Sequence, residues 1–320
     1  MALFRTSRFW LVVMLALLVV WVYRSHVQAY NGFNVSDALV PASEIHAGGP
    51  EKDGIPAITH PSFSSSHQTH WLKPDARVLT LDWQGVQRAY PLDILNWHEV
   101  VNDQVAGKPV LITYCPLCGS GMAFSPNVAG RNLTFGVSGL LYNSDVLLYD
   151  HETRSLWSQI RAQAISGPLK GERLQSIPLS LEVWKHWRVT HPNADVLSRD
   201  TGFARDYHRN PYFQYARDKG VYFPVAFSSR RYHPKERVLG VKLGDQVKAY
   251  PFAELARLND DQAEDLFAGE LLQLRFDAKT RTGKIYDAAG NELPSVNLFW
   301  FAWYAFYPQT EVFAITPGDQ

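Results

Sequence analysis

The sequence predicts an α+β fold dominated by strands, built as two related lobes after an N-terminal apolar helix. Three observations carry that expectation. Short stretches rich in β-branched and aromatic residues recur between Gly, Asn and Asp punctuation, and few segments hold a helical period for long. Two segments also echo each other in order. Arg77-Val78-Leu79 stands 12 residues ahead of Ala89-Tyr90-Pro91, as Arg237-Val238-Leu239 stands 12 ahead of Ala249-Tyr250-Pro251. Trp184, Trp187, Pro192 and Val196 then match Trp300, Trp303, Pro308 and Val312 at identical spacing. The offsets are 160 and 116 residues, so the second copy is shorter by 44 and the duplication is divergent. Third, Phe9 to Tyr23 is one uninterrupted apolar run behind Arg5 and Arg8.

That run is expected to be a signal anchor or a signal peptide, residues 1–29, with Val27-Gln28-Ala29 as a small-residue cleavage site. It covers only ~22 Å as a helix, short for a ~30 Å hydrocarbon core. With the basic flank inside, the remaining chain faces the periplasm or the cell exterior, anchored through residues 9–23 or secreted if cleaved near Ala29. Residues 30–70, rich in Ser, Pro, Gly and His, read as a tether and a loop leading into the body. The first lobe is expected over 71–200. Arg77–Leu81 and Val86–Tyr90 form a hairpin around Gly85. Pro91 fits the first helical position, and Leu92, Leu95, Val100 and Val101 supply the stripe of a helix ending near Asp103–Gln104. Val110–Tyr114, Leu133–Val137 and Val146–Tyr149 read as strands, and Glu182–Val189 as a short helix. An aromatic linker over 201–229 and a cysteine-free second lobe over 230–320 complete the chain. A protein or small molecule in a groove between the lobes is the expected partner beside the membrane.

Composition narrows the function classes. Thirty-one basic residues balance 31 acidic ones, so no basic face is available for nucleic acid. Two cysteines are too few for a disulfide scaffold, so their role is local.

Those cysteines stand in Tyr114-Cys115-Pro116-Leu117-Cys118-Gly119-Ser120-Gly121. Gly119, Ser120 and Gly121 are poor helix residues, which favours a metal knuckle over a redox pair at a helix start. Two thiolates leave a soft-metal site for copper or zinc one or two ligands short, and no third cysteine exists. His98 is the expected additional ligand, sharing a helix face with Asn102; Met122 is a weaker thioether candidate. Asp103 or Asp145 would orient the imidazole, with Glu99, Asn102 and Ser144 around them. Two other readings stay open. Cys115 and Cys118 could act in thiol–disulfide exchange, and Asp145 and Asp150 could serve as acid and base, which makes Cys115, Asp145 and Asp150 the catalytic candidates. Alternatively the cysteines are a passive staple in a glycan- or protein-binding module. Asn143-Ser144-Asp145 also fits a turn without function. Neither G-x-S-x-G nor H-E-x-x-H occurs.

The stretch AYPLDILNWHEVVNDQVAGKPVLITYCPLCGSGMAF, followed by LTFGVSGLLYNSDVLLYD and SLWSQ, closely resembles the DUF3179 family. YHRNPYFQY (207–215) and PKERVLGV (234–241) are similar to it as well. The resemblance covers most of 71–255 and implies an uncharacterised, exported or membrane-anchored prokaryotic protein. It marks His98, Glu99, Asn102, Asp103, Cys115, Cys118, Ser144, Asp145, Asp150, Trp157 and Gln159. Leu272–Asp277 puts no thiol at the corresponding place in the second copy, so the first lobe is expected to bear the chemistry.

Overall fold

Local turn chemistry sets the strands. Gln84 and Gly85, both at positive φ, close the hairpin of Arg77–Trp83 with Val86–Pro91 in a two-residue turn. Pro91 ends that strand and caps the next helix at ψ 132°, one position earlier than expected. The helix is Leu92–His98 and stops there, because Glu99 adopts the left-handed conformation at φ 58°. Val100–Val105 then continues as a strand, not as helix to Gln104. Its β-branched start pairs with Lys108–Cys115 across an Ala106-Gly107 turn, and that ladder outweighs the helical stripe read from the sequence. His98 and Asn102 therefore share no helix face.

The computed structural model describes residues 9–20, 30–258 and 260–315. It is strand-dominated α+β, with several sheets. One five-stranded sheet runs Ile45–Ala47, Phe135–Tyr142, Asp145–Asp150, Leu156–Ser158, Gln163–Ser166. A second runs Ser180–Val183, Arg77–Trp83, Val86–Pro91, Asp195–Leu197, Phe63–Ser65. The eight-stranded sheet takes strands from both ends of the chain. Glu311–Val312, Gln246–Pro251, Arg237–Leu243 and Ser295–Phe299 lie on one side, joined through Asn297 and Gly121 to Ser120–Ser125, Lys108–Cys115 and Val100–Val105. Gln175–Ile177 adds to Ser120–Ser125, and Gln262–Tyr286 forms a separate three-stranded meander. Residues 30–70 are woven in: Ile45 pairs with Tyr142, Ile58 bridges Val101, and Phe63 pairs with Leu197.

Certain registers coincide. Val183 pairs with Arg77 and Phe299 with Arg237; Asp195 pairs in parallel with Arg88 and Glu311 with Lys248. Between the two pairings of each set lies a helix, Trp184–Thr190 or Trp300–Phe306, with two buried tryptophans.

The N-terminal expectation needs correction. Residues 9–20 are helical with their apolar side chains exposed, and among the described residues no helix is long and apolar enough to cross a membrane. The membrane partner and the anchored placement predicted from Phe9–Tyr23 are thereby overturned. Residues 21–23 of that run and the Val27-Gln28-Ala29 site lie outside the described residues.

Candidate metal centre

Two hairpin tips from different sheets meet at the centre. The first joins Lys108–Cys115 to Ser120–Ser125, with Cys115 opposite Ser120 and the connection Pro116-Leu117-Cys118-Gly119 between them. Gly119 sits at φ 62°, and a Cβ there would lie 3.0 Å from the Arg237 guanidinium and 3.1 Å from the Phe299 ring. The position therefore needs glycine twice over. The second tip joins Phe135–Tyr142 to Asp145–Asp150 through Asn143 and Ser144, at φ 52° and 64°. Asn143 fixes this tip by donating to Ala305 O at 3.1 Å and accepting from Ala226 N–H at 2.7 Å.

The tips place Cys115 Sγ, Cys118 Sγ and one Asp145 carboxylate oxygen within 4.8 Å of one another. Both thiols are free and buried, at 1% and 0% exposure. They share one weak acceptor, the Ser144 carbonyl, at 3.9 Å from Cys115 and 3.4 Å from Cys118. Asp145 Oδ2 accepts from Ile160 N–H at 3.1 Å, while the buried Oδ1 has no hydrogen-bond partner. Ser144 Oγ and Tyr215 OH are likewise buried without a partner. So many unmet polar atoms around two sulfurs are unusual in a packed interior.

Burial sets the protonation. It pushes both thiols up, Cys118 well above the usual range, with further pressure on Cys115 from Asp145 and Glu99. Asp145 is raised to about 7 by burial, against the pull of the Ile160 N–H and the thiols. Glu99 is raised to about 8 by burial and then by the Asp145 charge. Without an ion, the centre holds its protons. An attacking thiolate needs exposure and a depressed pKa, and Cys115 has neither.

Basic groups sit just behind. Arg237 Nη1 donates to Gly119 O at 2.8 Å and Asn297 Oδ1 at 3.0 Å. Lys235 Nζ lies 3.2 Å from the Tyr215 ring centroid and donates to Gly220 O at 2.8 Å. Burial lowers Lys235 to about 8, against the favourable pull of Asp218 and Cys118.

Residues 52–310 match a family described as a protein of unknown function, DUF3179. The chain belongs to that family. Neither a curated protein nor a solved structure matches it.

The DUF3179 residues marked in the sequence divide sharply. Cys115, Cys118 and Asp145 come together, with Glu99 and Ser144 beside them. His98 does not join. Its Nδ1 pairs with Pro56 O at 2.8 Å and its Nε2 with Tyr207 OH at 2.7 Å, in full burial beside Phe203. The helix ends at His98, so its side chain faces the covering segment instead of the cysteine tip. Asn102 exchanges two 2.8 Å bonds with the Phe135 backbone, tying the two sheets together. Asp103 takes both its oxygens to Arg88 Nη1 at 2.8 Å and one to Tyr90 OH at 2.6 Å. Asp150 is buried away from the cysteines' cluster and accepts from Thr153, Ser155 and the Trp157 indole, which fixes the turn that follows its own strand. Gln159 braces the cysteine hairpin through Ser120 and Thr113. Met122 lines a neighbouring cavity and is not among the clustered ligand atoms. Tyr215, Lys235 and Arg237 were missed as site residues, although they stand in the YHRNPYFQY and PKERVLGV stretches. Nothing local marks them, since only the fold returns them to the cysteines.

Proposed function

We propose that this DUF3179 protein binds one transition metal ion, copper or zinc, through Cys115, Cys118 and Asp145. Asp145 replaces His98 as the third ligand. The observation that carries the reading is the buried cluster itself, in which one Asp145 carboxylate oxygen lies within 4.8 Å of two free sulfurs. Bonds of ~2.3 Å to sulfur and ~2.0 Å to oxygen hold tetrahedral ligands about 3.5–3.8 Å apart, so atoms that lie within 4.8 Å of one another need to close by no more than about 1 Å. Two thiolates select a soft or borderline ion over magnesium or calcium. Binding displaces the protons that burial now holds, and the nearby Arg237 and Lys235 offset the surplus negative charge.

The test is elemental analysis by mass spectrometry of protein purified under reducing conditions without chelator. Wild type and His98→Ala are expected to carry about one equivalent of copper or zinc. The Cys115→Ser/Cys118→Ser double variant and Asp145→Asn are expected to lose it. A metal-free wild type, or metal retained without the thiols, overturns the reading.

We also infer the divergent duplication, roughly 71–200 and 230–315. It is supported by the coincident registers and by two arginines that cross between the copies. Arg77 Nη2 donates to Thr280 O at 2.7 Å, and Arg237 Nη1 to Gly119 O at 2.8 Å. Each reaches the four-residue hairpin connection of the other copy, closed by Arg281 or Gly119 at positive φ. Tyr90–Asp103 and Tyr250–Asp265 form equivalent hydrogen bonds. The turn that holds Cys115 and Cys118 in the first copy holds Asp277 and Thr280 in the second, so only the first can bind a soft ion.

A further inference from the structure

A cavity of about 550 Å³ opens between the strands Ser120–Ser125, Arg237–Leu243 and Ser295–Phe299 and the helix Trp300–Phe306. That volume lies within the range of small-molecule sites. Its walls are of two kinds. Met122, Leu243 and Trp303 give an apolar floor, and Arg161, Arg173 and Lys242 line the cavity with three cations. Asp245 is the one acidic residue among the described lining residues. None of the three cations forms an ion pair with a described residue. Arg161 Nη2 donates to Tyr142 OH at 3.3 Å and Arg173 Nη1 to Arg161 O at 3.5 Å, which position the guanidiniums without neutralising them. The Lys242 ammonium is disfavoured by burial and by both arginines, against the pull of Asp245. In a chain of zero net charge, three unneutralised cations facing one cavity need an explanation.

We propose that this cavity binds an amphiphilic organic anion, its carboxylate or phosphate head held by Arg161, Arg173 and Lys242 and its apolar body against Met122, Leu243 and Trp303. Guanidinium groups match either oxyanion through paired hydrogen bonds. The cavity also adjoins the cysteine centre. Ile160 lines it while its N–H donates to Asp145, and its carbonyl accepts from Tyr307 OH at 3.2 Å. The anion site is independent of whether the centre holds a metal.

The chain has three methionines, Met1, Met14 and Met122, and the third lines the cavity. Protein labelled with methyl-13C methionine is titrated with octanoate, octyl phosphate and octanol, following the methyl resonances by NMR. The Met122 methyl is expected to shift saturably with at least one anion and at least ~10-fold more weakly with octanol. The tighter anion identifies the head group. Arg173→Ala/Lys242→Ala, at exposed residues without ion pairs, is expected to weaken the anion ~10-fold or more and leave octanol unchanged, which also reports an intact cavity. Four results overturn the proposal: no Met122 shift with either anion, octanol binding as tightly as both anions, unchanged anion binding in the double variant, or a shift confined to Met14.

Discussion

Burial raises Glu99 and Asp145 because it withdraws the water that would solvate a carboxylate, and the Asp145 charge raises Glu99 further. The sign of the stability effect follows. With folded values of about 8 and about 7 against ordinary values of 4.5 and 3.8, both groups stabilise the metal-free fold at acid pH. That contribution is lost as pH rises towards 7–8. Glu99→Gln, neutral at every pH, is therefore expected to gain stability relative to wild type between pH 5 and pH 8, read from urea midpoints of chelator-treated protein. A constant difference across that range rejects the assignment. Metal affinity should have the opposite slope, rising steeply with pH because Cys115, Cys118 and Asp145 must all release protons. His98 marks the other kind of buried polar residue. His98→Ala strips partners from Pro56 O and Tyr207 OH and is expected to cost about 2–4 kcal/mol in chemical denaturation. Its metal content should stay at wild-type level. That the two cysteines share one tight turn was legible in their spacing. That Asp145 and not His98 meets the sulfurs was not, since strand pairing between distant segments decides which side chain arrives there.

At the scale of elements, the centre depends on two tight turns and on one close packing contact that supports the sheet beneath them. Ser144 is useful for its carbonyl and for its left-handed backbone, not for its hydroxyl. Ser144→Gly should change stability by less than ~1 kcal/mol and keep the metal, whereas Ser144→Val forces a β-branched residue to positive φ at a cost of roughly 1–3 kcal/mol. Equal stability of the two variants, by thermal or urea unfolding, removes this account of the turn. Gly240 is a packing case. A Cβ there would sit 2.3 Å from the Trp303 indole, which cannot yield as a flexible tip would. Gly240→Ala is expected to cost about 3 kcal/mol or more by prising Trp300–Phe306 off the strand Arg237–Leu243. The hairpin around Gly85 and the strands after the cysteines were readable from turn residues and β-type composition. The helix end was not. Val100 and Val101 suit both a helical stripe and a strand, and only the partner strand Lys108–Cys115 decides between them.

Across the whole molecule, the eight-stranded sheet joins early and late strands, and Arg237 carries the later half onto the cysteine turn. Unfolding is accordingly expected as one cooperative transition, with tryptophan fluorescence and circular dichroism coinciding. Arg237→Ala should lower that single midpoint and weaken metal binding together, because it unsupports Gly119 as well as the strand; separate transitions count against one shared core. By itself the sequence determined the strand-dominated α+β class, the echoing segments, the tight turn that holds both cysteines and the family, because those are written in local spacing and turn chemistry. It also suggested a membrane anchor that no described helix is long and apolar enough to form. Only the tertiary structure decided that Asp145 faces the sulfurs, that His98 is sealed under Tyr207, and that three cations share a cavity next door. The physical reason is that strand pairing between distant segments chooses which face of each hairpin tip meets another, and side chains far apart in the chain acquire their chemistry only at that meeting.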